Sequence, residues 1–155
     1  LAYMITLFVR SGEPVAQRAI HRLAQEVTRR DPAVTTTAAG DGVGWAAYEL
    51  SAERDLREQV SNLELDLLPP DPKSWPVLLQ ANTGPQAVKA QIEWGLTQGG
   101  PQVLTSCDAF VELSLSGHLI DWKLVRSICE VTTEMWDAVL HDEGSGFDVT
   151  LDDLP

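Results

Sequence analysis

The sequence predicts an α+β domain. It should open as a ferredoxin-like β-α-β-β-α-β unit and continue as an extended mixed or antiparallel sheet with further helices on one face. Three observations carry this expectation. A short apolar, β-branched run at residues 3–10 precedes a helical stripe at 11–30. Two strand-like runs then meet across Gly40-Asp41-Gly42, a hairpin signal. Beyond residue 75, strand-like and helix-like runs alternate again.

Taken in order, YMITLFVR reads as a strand buried on both faces. Ser11 and Pro14 then open a helix, because Val15, Ala16, Ala19, Ile20, Leu23 and Val27 recur on one side until Asp31-Pro32 stops it. VTTTAA and VGWAAYEL supply the hairpin strands. Ser51 has the chemistry of a helix N-cap, and Leu56, Val60, Leu63 and Leu67 continue a helical stripe. NLELDLL also alternates as a strand would, so both readings stand. Pro69-Pro70-Asp71-Pro72 is a stiff connector and marks a subregion boundary at 69–73. WPVLLQA then reads as a strand, residues 85–94 as a helix, and Gly99-Gly100-Pro101 as a break. QVLTS and AFVELSL carry strand signals, and a long helix is expected over roughly 121–141. At 155 residues the chain suits one domain, residues 1–147, with an acidic tail at 148–155. That tail has no apolar stripe and is expected to pack poorly.

Charge bounds the function. There are 11 basic residues against 23 acidic ones, a net charge of −12. Six acids lie in the last 19 residues, which contain no Lys or Arg. Such a field repels phosphate backbones and attracts basic partners, so nucleic acid is not the expected ligand. LAYMITLFV is apolar for only nine residues before Arg10, too short to span a bilayer and unlike a secretory leader. Cys107 and Cys129 form no CxxC and have no Cys/His cluster beside them. They read as free thiols of a cytoplasmic protein, a disulfide being the alternative.

Candidate chemistry is sparse. In EVTTEMWDAVLHDEGSGF, Glu130, Glu134, Asp137 and His141 fall within about 60° of one helix side, opposite the apolar arc of Leu124, Val125, Ile128, Val131 and Trp136. A metal or acid/base site needs such groups aimed at the core, so this is read as a solvated face, with no metal, cofactor or catalytic residue. His141-Asp142-Glu143 is too short a segment to fill a zinc shell. His21 falls on a polar helix face, and His118 follows Gly117 in a turn. AAGDGVGW is glycine-rich, but a phosphate loop would lead into a helix, and VGWAAYEL is strand-like.

Two features point to binding instead. Arg18, Arg22 and Arg29 form a positive stripe on the first helix, suited to a carboxylate or a phosphate. Trp94 lies opposite the Val88, Ile92 and Leu96 stripe, where an indole faces solvent unless a partner covers it. With Asp142 and Glu143 of the acidic end, these are the candidate partner-binding residues. In profile the chain is similar to small acidic proteins that neutralise a toxin or regulate an enzyme, immunity proteins of bacterial toxin systems among them. That likeness is one of composition and implies no particular residue. The expectation is a non-catalytic protein-binding module, an inhibitor of a basic partner, or a homodimer. The alternative is a small-molecule-binding or enzymatic domain with its site between the sheet and the last helix.

Overall fold

The computed structural model describes residues 3–54, 56, 76–116 and 119–155. In chain order these form β1 (Tyr3–Val9), α1 (Ala16–Arg30), β2 (Val34–Gly42), β3 (Trp45–Ala52) and β4 (Val77–Asn82). They continue with α2 (Pro85–Thr97), β5 (Ala109–Leu115), α3 (Trp122–Trp136) and β6 (Ala138–Asp142). The α+β class holds. The strands make one antiparallel sheet in the order β2-β3-β4-β5-β1-β6. The chain begins β-α-β-β as expected, but β1 pairs with β5 and β6 rather than beside β3. The split β-α-β arrangement of a plait is therefore built by β5, α3 and β6 around β1.

Strand alternation divides the core. Ile5, Leu7 and Val9 of β1 join Leu79 of β4 and Val111 and Leu113 of β5 under Ile20, Leu23 and Val27 of α1 and Ile128 and Val131 of α3. The other side of the same strands carries Phe8 and Phe110, which pack with Val88 of α2 and Leu104. The helices, expected on one face, thus occupy both: α1 and α3 cover one, α2 the other. The reason is legible in β1, whose alternate residues are apolar on each side. Gly95 lets α2 approach closely, since a Cβ there would stand 2.9 Å from Leu104 Cδ1 and 3.4 Å from Phe8 Cζ.

Several local expectations shift. Ser51 belongs to β3 and caps no helix. The hairpin strands run through Gly42 and turn at Val43-Gly44, where Gly44 has φ of 78°. Gly42 lies beneath Trp45, whose Nε1 would be 2.2 Å from an added Cβ. QVLTS is a 3-10 turn, not a strand, with Thr105 and Ser106 hydroxyls bonded back to the carbonyls of Gln102 and Val103. The long helix stops at Trp136, because Asp137 takes a left-handed φ of 54° and Ala138–Asp142 adds a strand to β1. The expected loose tail is packed: Leu154 is buried against α3, and its carbonyl accepts from Arg126 Nη2 at 2.6 Å. The boundary at 69–73, the helix-or-strand segment at 57–67 and His118 lie outside the described residues, although Leu56 is buried.

Candidate functional site

Antiparallel register places Gln80, Glu112, Thr6 and His141 in one row across β4, β5, β1 and β6. Their neighbours along each strand point into the α1/α3 core, so this row faces the α2 side of the sheet. There α2 spans the phenylalanine end and leaves the polar row partly open. Beneath its C-terminal half lies a cavity of about 380 Å³. Met4, Thr6 and Glu112 line its floor, Trp94 and His141 one wall, and Gln91, Gln98 and Glu143 its rim.

An aromatic chain fixes the wall. His141 meets Trp94 edge-on at 4.9 Å between ring centres and Phe147 at 4.7 Å, and Phe147 reaches Phe8 at 5.9 Å. Burial holds the His141 imidazole below its ordinary pKa, with Asp142 opposing. The floor is set by amides: Gln80 Nε2 donates to Asn82 Oδ1 at 3.0 Å, and Asn82 Nδ2 donates to Glu112 Oε1 at 3.4 Å. Burial pushes the Glu112 carboxyl up, and the Asn82 bond offsets it only in part. Glu112 and His141 sit two strands apart, roughly 10 Å, with Thr6 between. They form no relay with each other. A molecule lying over Thr6 would touch both.

The partner-binding candidates divide between the two faces. Trp94 is 40% exposed, emerging from α2 away from Val88 as its spacing implies. Glu143 is at the cavity rim, its carboxylate accepting from Met4 N at 2.8 Å. Asp142 is buried, and its Oδ1 accepts from the Tyr3 hydroxyl and from the Gly144 and Ser145 amides, which makes it a turn organiser. Arg18, Arg22 and Arg29 lie on α1, across the sheet from Trp94. Arg18 and Arg22 are exposed, whereas Arg29 binds Glu26 and holds that carboxyl down at about 2, with Arg30 adding to the effect. Glu134 of the acidic stripe pairs with Arg30, and Asp137 lies 3.7 Å from Arg10. His141, expected in that stripe, is instead on β6 facing α2. His21 is hydrogen-bonded to Tyr48 at 3.3 Å.

Thr6, Glu112, Gln80 and Asn82 escaped the sequence reading. Their signal was there: polar residues two apart in VLLQAN, and Glu112 within AFVELSL, put polar groups on one side of otherwise buried strands. On the far side of α2 runs a second, larger groove of about 680 Å³, apolar along Val88, Ile92 and Leu96 and edged by Glu13, Lys89 and Glu93. Among the described residues no group of three or more His, Cys, Asp or Glu is gathered as a metal shell. No helix among them is long and apolar enough to cross a membrane, and Cys107 and Cys129 are both free. Comparison with known proteins finds no match to a family model, to a curated protein or to a solved structure.

Proposed function

We propose that the protein is a non-catalytic binding module that captures a basic protein partner on the α2 side of its sheet, as an inhibitor of immunity type would. The supporting observation is how charge is partitioned. Among the described residues, the cations of α1, of α3 and of Arg54 lie on the opposite face, and Arg10 sits at the end of β1. Among the described residues, the α2 side carries Glu49, Glu93, Glu112 and Glu143 against Lys89, with Arg10 reaching its edge near Cys107, where it pairs with Asp137. An exposed indole stands within this acidic surface, and aromatic anchors commonly carry much of an interface's energy. Acidic surroundings steer a basic partner in and suppress acidic competitors.

Charge reversal tests this reading. Glu49→Lys with Glu93→Lys should abolish capture of a partner that the unaltered protein retains, and raised salt should weaken that capture. Arg18→Glu with Arg22→Glu, on the other face, should leave it intact. Equal loss from both pairs would rule out an α2-side interface.

A second reading rests on the cavity itself. A raised carboxyl and a lowered imidazole facing one space are the pattern of acid–base sites, which would make this a small-molecule or enzymatic domain. That site would lie under α2, not beside the last helix.

A further inference from the structure

We infer that the cavity under α2 is a receptor for one arginine side chain of the partner, with Glu112 as its counter-charge and Trp94 as its stacking wall. This rests on the proposal that the α2 side binds a basic protein, and it specifies what that side recognises.

Three independent features converge. The first is an unmatched charge. Glu112 is half-buried on the cavity floor, makes one long hydrogen bond to Asn82 at 3.4 Å, and has no ion pair among the described residues. A carboxylate so placed gains from a cation delivered by a partner, because the desolvation is already incurred in the free protein. The second is the wall. Trp94 is 40% exposed and held edge-on to His141, so part of its indole remains open to a planar cation. The third is the acceptor set. Thr6, opposite Glu112 in register, and Gln91 and Gln98 at the rim line the same cavity with neutral oxygens, and Glu143 adds charge at the mouth. Guanidinium presents five donors in one plane and stacks on aromatic faces, whereas ammonium is a compact point charge that would leave most of these acceptors unmet. The volume of about 380 Å³ lies at the small end of ligand cavities, in keeping with one side chain and not a large cofactor.

The probe is N-acetyl-arginine amide, whose ends are neutral, compared with N-acetyl-lysine amide and with free arginine. Binding is followed by nuclear magnetic resonance at the Trp94 indole and His141 ring signals. The expected result is saturable shifts of both signals, with the arginine amide bound more tightly than the lysine amide. Free arginine should bind no better than the amide, since a side-chain receptor makes no use of its carboxylate. Glu112→Gln should weaken the arginine amide by about tenfold or more, as loss of a charged hydrogen bond implies. Gln98→Lys, an exposed change that brings a competing cation to the rim, should weaken it as well and guards against a Glu112 variant that fails to fold. Absence of shifts with the arginine amide, or equal binding of the lysine amide, overturns the inference. Tighter binding of free arginine would make this an amino-acid site and overturn it too. The charge-reversal experiment is read separately: capture lost only with the Glu49 and Glu93 pair keeps the α2-side interface even if the arginine amide does not bind.

Discussion

Glu112 and Asp121 show two fates of a carboxylate in this fold. Asp121 is 1% exposed but fully matched: it accepts from Leu124 N at 3.1 Å as the α3 N-cap and from Arg54 Nε at 2.6 Å. Arg54 also donates to Asp31 at 2.8 Å, so one guanidinium ties the end of α1 to the start of α3. Arg54→Ala strands that buried carboxylate and should lower stability by about 3 kcal/mol in denaturant unfolding. Glu112 has no cationic partner among the described residues. Its folded pKa lies above the ordinary 4.5, so ionisation works against folding. The penalty is absent well below pH 4.5, grows as pH rises from there to the folded value, and is constant above it. Glu112→Gln should therefore raise the melting temperature at neutral pH and change it little near pH 3. An equal effect at both would refute the assigned burial. Stability given up at one residue is common where a binding group is held ready.

Among the elements, α1 was the most legible: Ala16, Ala19, Ile20, Leu23 and Val27 of the stripe read from spacing are buried, with Ala24 added and Val15 left exposed. α3 was legible up to Trp136 but not at its end, because no Gly or Pro signals the stop. Asp137, a non-glycine residue in a left-handed conformation, makes the turn, and it carried His141 from the supposed wet face to the cavity wall. The site was hidden for a related reason. A row across four strands is fixed by register, and register between β1 and β6 is not written in either strand alone. Trp94 tests α2. Ala87, Ala90, Thr97 and Gln98 on its side of α2 are exposed and Gly95 faces the core, so Trp94→Ala should keep the fold while costing ~2 kcal/mol or more in partner binding. The same change uncovers His141 and should move its titration back up toward the ordinary value, since burial is what depresses it. The C-terminal turn is the opposite case. Deleting residues 150–155 removes buried Leu154 and the bond from Arg126 to its carbonyl, and should cost about 2 kcal/mol of stability.

At the scale of the whole molecule, the sheet order also dictates an order of assembly. The β2-β3-β4 meander joins strands in sequence and can form from the first half of the chain. β1 cannot join it. Its partners are β5 and β6, and Tyr3 meets Asp142 across a separation of 139 residues. The first strand must therefore wait, unpaired, until β5 arrives, whose Ala109 stands opposite Val9, and closing so long a loop before any contact rewards it slows folding. In pulse-labelled hydrogen exchange during refolding, β3 and β4 amides should become protected before those of β1. During synthesis the apolar LFV of β1 would spend that interval without its strand partners, the condition in which an unpaired apolar edge is most prone to aggregate.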